Sequence, residues 1–306
     1  MIDHRRLYEV KSATIRNFAS LWVSNFNANK SRIHNAHGVA SLFEKFRNIP
    51  AVVVGAGPSL DKNIMWLGQA QGRAIIIAVD TIFASLIKAG ITPTVVVTLD
   101  PQVEVARFFR DVDSSRRLLV APTIAHPESL DQWKGDIVFY NKYAPDIPEL
   151  VKIASINPGL GYLIPGGSVL TIGLDLEYRM GANPVAFAGQ DLSYRSEGAA
   201  YAGDTLYGDN DYQSLFGDRI EQMVSDTDIF GRTVRTQKSM FVTKQWMEWA
   251  FTSWKRKNHA DFYNLTEGGI VTRHCNITSL KEWVSRFCLE TKNLEWGIRK
   301  ALKTKR

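Results

Sequence analysis

Cysteine is nearly missing from this chain. Two in 306 residues, Cys275 and Cys288, exclude a disulfide framework and a four-cysteine metal site, and they read as reduced thiols of a cytoplasmic protein. No apolar run is long enough to span a membrane, and the opening Met1-Ile-Asp-His-Arg-Arg lacks the core of a signal peptide. The Asn-x-Thr triplets at Asn264 and Asn276 therefore read as accidental. Histidines are few, and His34 and His37 lie in an Asn- and Lys-rich loop with no metal-ligand spacing, as solvated side chains do. No internal repeat and no linker breaks the sequence, so one compact unit is expected rather than separate modules.

What is present is a hydrophobic content of 45% and a formal charge of +6. The first is ample for a large core. The second suits an anionic ligand, or serves solubility alone, since most of the excess lies near the two ends.

The chain is organised around Ala51–Asp61, Ala-Val-Val-Val-Gly-Ala-Gly-Pro-Ser-Leu-Asp. Four small or β-branched residues run into Gly55 as a buried parallel strand would. Gly55 and Gly57 allow a sharp turn that brings bare backbone close to a ligand. Pro58 stiffens that turn, and Ser59 or Asp61 can cap a helix beginning near Lys62. A strand, a glycine turn and a helix N-terminus together favour a phosphate, although a tight structural turn needs no ligand at all. Leu60 stands where the dinucleotide fingerprint has its third glycine, and no Gly-Lys-Ser/Thr of a P-loop follows.

Residues 5–30 read as a helix, followed by a loop and a short helix around Val39–Phe46; this arm, residues 1–48, is expected to dock on the sheet or on a second subunit. From 49 to 306 the pattern is α/β. Strands are expected at Val52–Val54, Ala74–Val79, Val95–Leu99, Leu118–Val120 and Ile137–Tyr140, with helices at Lys62–Gln71, Ile82–Ala89 and Val103–Arg110. Apolar strands alternating with helices predict a Rossmann-like, doubly wound, mostly parallel sheet with helical N- and C-terminal additions. Two strands end in Asp80 and Asp100, where open sheets hold ligands; each aspartate serves equally well as a helix cap, with Pro101 at the first helical position.

Gly166-Gly167-Ser168 opens a helix over Val169–Met180 and makes a second candidate anion site. A buried strand, Val185–Ala188, leads to Gly189-Gln190-Asp191-Leu192 and then to a loop carrying Tyr194, Tyr201, Asp204, Tyr207 and Asp209, the composition of a site rim or interface. Beyond a hairpin near Phe230, the helix Ser239–Lys257 has Met240, Met247, Phe251 and Trp254 on one stripe, which reads as core. A strand at Ala260–Asn264, a turn to Gly269, a helix over Ser279–Ala301 and a frayed basic tail complete the expectation.

In order and spacing, Val54-Gly-Ala-Gly-Pro-Ser-Leu-Asp61, Val79-Asp-Thr81, Gly90-Ile-Thr-Pro93, Leu99-Asp100, Gly167-Ser168-Val169, Gly189-Gln-Asp-Leu192 and Asn264-Leu-Thr-Glu-Gly-Gly269 resemble the central domain of Maf-type (motility accessory factor) flagellin glycosyltransferases. A more distant resemblance is to bacterial sialyltransferases that use CMP-sugars without a metal, through Tyr194 and the stretch Tyr201-Ala-Gly-Asp-Thr205. These resemblances imply a metal-independent transferase moving a nonulosonic (sialic-like) sugar from CMP to a flagellin-like protein or glycan hydroxyl. They place the nucleotide on Gly55, Gly57, Pro58, Ser59, Leu60, Asp80, Thr81, Asp100, Gly167, Ser168 and Gln190. Tyr194 and Tyr201 would hydrogen-bond the departing phosphate, Asp191 is counted with them as catalytic, and neither His259 nor His274 aligns as a base. The implied partners are the nucleotide-sugar and its acceptor, with no nucleic acid and with homo-oligomerisation open.

The same superfamily holds archaeal 6-hydroxymethyl-dihydropterin diphosphokinases. On that alternative a Mg²⁺ ion would draw on Asp80, Asp100 and Asp191. A non-catalytic nucleotide-binding assembly protein is the third reading.

Overall fold

The computed structural model describes residues 4–195, 198–208, 223–258 and 260–303. Helix α1 (His4–Asn35) is followed by the short strand β1 (His37–Gly38) and a 3-10 turn at Val39–Leu42. Next come β2 (Ala51–Val54), α2 (Leu67–Ala70), β3 (Ile75–Val79), α3 (Asp80–Lys88), β4 (Val95–Val97) and β5 (Leu118–Pro122). The middle continues through α4 (Pro127–Gln132), β6 (Asp136–Lys142), α5 (Pro148–Ile156), β7 (Tyr162–Leu163), α6 (Val169–Met180) and β8 (Val185–Ala188). The last third holds β9 (Met223–Thr227), β10 (Thr233–Gln237), α7 (Lys238–Asn258), β11 (Phe262–Asn264), β12 (Asn276–Ile277), α8 (Leu280–Phe287) and α9 (Leu294–Lys303).

Every residue of β2, β3, β4, β5 and β8 is buried, as strands covered by helices on both faces must be. Among the described residues the main sheet has ten strands in the order β1-β6-β5-β4-β3-β2-β8-β11-β12, with β7 beside β6, and every pairing in it is parallel. Ala51 of β2 pairs with Ile75 on one side and Val185 on the other. The order of building reverses between β2 and β8, so the glycine turn leaves the sheet at the switch point where such folds place ligands. Strands β9 and β10 form a separate antiparallel hairpin.

Trp22, Phe26 and Ile33 of α1 join the main core. The helix is also tied to two loops at the carboxyl ends of strands. Asn25 donates to the carbonyls of Pro101 and Ile124 (2.8 and 3.0 Å), and Asn29 to that of Ala125 (2.8 Å). Both cysteines are free, and no helix among the described residues is long and apolar enough to cross a membrane.

Several expected helices take other forms. The segment near Lys62 is two 3-10 turns, Pro58–Lys62 and Ile64–Trp66, before the single turn of α2, and neither Ser59 nor Asp61 caps it. The Asn63 amide between them is committed elsewhere, donating to Leu265 O and Glu267 Oε1 (3.3 and 2.9 Å). Val103–Phe108 is also 3-10, with Gln102 rather than Asp100 at its N-cap. The long terminal helix breaks into α8 and α9, because Lys292 N–H donates to Gly72 O (2.6 Å) and Asn293 Oδ1 accepts from Trp296 N–H (3.0 Å). The expected frayed tail is helical as far as Lys303.

Candidate active site

Beyond Val54 the chain turns beneath the end of β8. Gly55 N–H donates to Ala188 O (2.9 Å) and Gly57 N–H to Gly189 O (2.7 Å). A Cβ on Gly57 would overlap Asp191 Oδ2 and stand 2.6 Å from Gly189 O. The φ at Gly57 is an ordinary −68°, so space rather than backbone freedom demands glycine there. The close approach anticipated from sequence is thus made to the neighbouring strand end.

Ser59, expected as a cap, instead holds Asp191: its Oγ donates to Oδ2 at 2.8 Å and its N–H at 3.4 Å. Arg195 donates to Pro58 O and pairs with Asp61 (3.1 Å). Ala202 N–H reaches Ala56 O (2.8 Å) and Gly203 N–H reaches Asp61 Oδ1 (3.0 Å), which lays the 198–208 loop along the glycine turn. From the other side the 264–270 loop grips the end of β8, with Leu265 N–H on Phe187 O (2.8 Å), Gln190 N–H on Thr266 Oγ1 (3.2 Å) and Ile270 N–H on Asp191 O (3.0 Å).

Two chambers open over the carboxyl ends of these strands. The first, about 260 Å³, lies between Gly55–Gly57, the start of α6 at Gly167-Ser168, and the Gly189–Ser193 segment, with Ser239, Met240 and Thr243 of α7 on its far wall. Ser168 is the N-cap of the twelve-residue α6, yet its side chain makes no cap bond; its Oγ accepts from Gln190 Nε2 (3.2 Å). The first turn of α6 therefore leaves the N–H groups of Val169 and Leu170 without intrahelical acceptors, facing a region favourable to negative charge. The second chamber, about 300 Å³, is lined by Asp80, Gln102, Glu104, Phe108 and Tyr207. Thr81, Asp100 and Tyr201 line both.

The carboxylates differ in their surroundings. Asp80 accepts from Thr81 N–H and Oγ1–H (2.8 and 3.1 Å) and from Thr98 Oγ1–H (2.7 Å). Burial still pushes it up to about 6, and the charge of Asp100 adds to the rise that these bonds partly offset. Asp100 is open to solvent on the chamber floor, but the enclosing walls raise it, with Lys142 pulling the other way. Asp191 is buried and pushed up to about 6, the Ser59 bonds and the Arg195 charge only partly compensating. Burial, with Tyr207 and both nearby aspartates, raises Tyr201, which therefore keeps its O–H at neutral pH.

Of the residues anticipated from sequence, Gly55, Gly57, Thr81, Asp100, Gly167, Ser168, Gln190, Asp191 and Tyr201 line the first chamber, and Asp80 lines the second. Pro58 and Ser59 stand behind the first as supports, and Leu60 is fully buried in the core. Tyr194 is buried at 4% exposure and lines neither chamber, so the structure separates the two tyrosines. His274 lines a different cavity with Phe251 and Phe262, at the amino ends of β11 and β12, and Asp209 and His259 fall outside the described residues. Sequence reasoning missed Gln102, Glu104 and Phe108, and also Ser239 and Thr243. The last two are hydroxyls one helical turn apart on an otherwise aromatic helix, a spacing that marks one face.

A protein-family model described as 6-hydroxymethylpterin diphosphokinase MptE-like matches residues 24–197. A search of curated proteins finds no match. Among solved structures, the chain is similar to a MAf glycosyltransferase from Magnetospirillum magneticum AMB-1, with a TM-score of 0.62 and 20% sequence identity. The likeness covers 86% of this chain and 40% of that one, so the chain spans well under half of that enzyme's length.

Proposed function

Because the chain belongs to the 6-hydroxymethylpterin diphosphokinase MptE-like family, whose matched segment includes Gly57, Asp80 and Asp100, we propose that it transfers a group from a nucleotide-activated donor, namely a nonulosonic sugar from CMP to a protein or glycan hydroxyl. The observation that carries this reading is the position of Tyr201, a neutral O–H donor on the wall common to both chambers, beside the open N-terminus of α6. The fold likeness to a MAf glycosyltransferase is consistent with it.

On this reading the donor lies in the first chamber, its phosphate toward the Val169 and Leu170 N–H groups and the Tyr201 hydroxyl. The acceptor oxygen bonds to the anomeric carbon as the bond from that carbon to the phosphate oxygen breaks. The electron pair leaves with CMP, and charge growing on the phosphate is met by donors already in place. The acceptor's proton passes to a base.

The family's namesake reaction is the second reading, favoured by the matched segment itself. A divalent ion there would neutralise charge on several phosphate oxygens. Asp80 and Asp100 line the second chamber together and would supply the ion's ligands, with Asp80 sharing its oxygens with the Thr81 and Thr98 donors.

The deciding experiment measures CMP release from a CMP-nonulosonate in excess EDTA, beside AMP formation from ATP and 6-hydroxymethylpterin with Mg²⁺. Persistent CMP release is expected. AMP formation with no CMP release under any condition would give the protein to the diphosphokinases.

A further inference from the structure

The transferase reading leaves both the acceptor's place and the base open. The second chamber has features that bear on both, and the inference drawn from them rests on that reading. We propose that this acidic, aromatic chamber is the acceptor site, that it takes an uncharged or amino-bearing saccharide, and that Asp100 is the base for the attacking hydroxyl.

Charge is the first ground. Asp80, Asp100 and Glu104 line the chamber, and among the described residues no lysine or arginine does. A phosphate or a nonulosonate carboxylate placed there would face three carboxylates, whereas the first chamber has two, Asp100 and Asp191, together with the open N-terminus of α6, so the anionic donor belongs in the first and the second is left for a partner without negative charge.

The shape and chemistry of the wall are the second. Phe108, Tyr207 and Tyr201 form a stepped aromatic surface: Phe108 and Tyr207 meet edge-on at 76° and 5.8 Å, and Tyr207 and Tyr201 are tilted by 45° at 5.1 Å. A flat fused ring such as a pterin is best held between parallel faces. Tilted faces offer several short apolar ledges, which match the C–H patches of a puckered sugar ring. Around them stand Glu104 and Asp100 as acceptors and Gln102 as donor and acceptor, an excess of acceptors that hydroxyl and ammonium groups satisfy.

Asp100 adds the third ground. It lines both chambers, so a hydroxyl in the second that points at an anomeric carbon in the first passes beside its carboxylate. Asp80 lines only the second chamber, and its oxygens already accept from Thr81 and Thr98, so it is less well placed for this step. In the step, Asp100 takes the hydroxyl proton as the new C–O bond forms, CMP leaves with the electron pair of the old one, and the proton later passes to water.

Saturation-transfer NMR on the full chain tests the chamber directly, using methyl β-galactoside, glucosamine and glucuronate without nucleotide. The first two are expected to bind near neutral pH and glucuronate is not. Glu104→Gln, at an exposed position, and Tyr207→Leu should each weaken saccharide binding on the order of tenfold, while calorimetric CMP affinity stays within about twofold. Asp100→Asn should lower kcat by about 10²-fold or more with the acceptor KM little changed, and should erase the acidic limb of the pH–rate profile. Equal binding of glucuronate, unaltered saccharide binding in both chamber variants, or displacement of the saccharide by 6-hydroxymethylpterin would overturn the proposal. If the wild type binds CMP but no saccharide, the chamber assignment alone falls; if it binds saccharide but not CMP, the donor assignment falls instead.

Discussion

Replacing Asp191 with asparagine should change how stability depends on pH. The carboxyl titrates near 6 in the folded protein against an ordinary value of 3.8, mainly because it is buried. An acid raised on folding binds its proton more tightly in the native state. Its contribution is fully present below the unfolded value and is lost as pH rises through the folded one. A rise of roughly two units corresponds to about 3 kcal/mol over the whole window, of which about 2 kcal/mol falls between pH 4.5 and 7.5. The asparagine of the variant would be neutral throughout and can still bond Ser59 across the contact now spanning 2.8 Å. The other raised acids, Asp80 and Asp100 among them, are common to both proteins and cancel in the difference. Denaturant unfolding of both proteins at the two pH values measures the effect. The wild type should lose about 2 kcal/mol more than the variant on going to the higher pH. Parallel curves, offset by a constant amount, would show that Asp191 is not held in the environment described.

Three further expectations concern the same cleft. Gly57→Ala should cost about 2–4 kcal/mol by crowding Gly189 and Asp191, seen as a fall in Tm on the order of 5 °C; an unchanged Tm would mean the turn can open freely. Gly90→Ala is its control, since the added Cβ meets nothing within 4 Å and only the left-handed φ of 73° is penalised, by about 1 kcal/mol. Tyr201→Phe should reduce CMP release per folded molecule by on the order of 10²-fold, whereas Tyr194→Phe, buried and off the chamber wall, should leave that rate within a few-fold. Equal losses from the two tyrosines would contradict the separation of their roles.

Much of the sheet was legible because strands such as Ile75–Val79 are apolar at every position, a pattern that needs cover on both faces and hence helices between. Helix α6 was readable to the residue, with Ser168 before it and Gly181 in the left-handed conformation after it. The turns at Ile64–Trp66 and Val103–Phe108 were read as α-helix because apolar spacing does not distinguish a short 3-10 segment from the first turns of a longer helix. At the site, the glycine turn, Asp100 and Tyr201 announced themselves through local pattern. Glu104, Phe108 and Thr243 did not, because their importance comes from partners far along the chain that only the sheet order brings near. Leu60 was misassigned for a related reason: its place in a binding turn gave no sign that its side chain points into the core.

The position of β2 between β3 and β8 also sets the order in which this protein can assemble. Ala51 finds Ile75 across a short stretch of chain, but it must wait for Val185 to be synthesised before its other edge is covered. Closing the longer loop costs about 1.5 kcal/mol more in chain entropy than the shorter one, with no reward until β8 docks. On the ribosome, the glycine turn would therefore emerge early beside an unpaired strand edge, the kind of surface that invites mispairing with another nascent chain. The cleft comes into being only after the 264–270 loop has closed over Asp191, so its completion reports that both sides of the sheet, from β2 through β11, have come together.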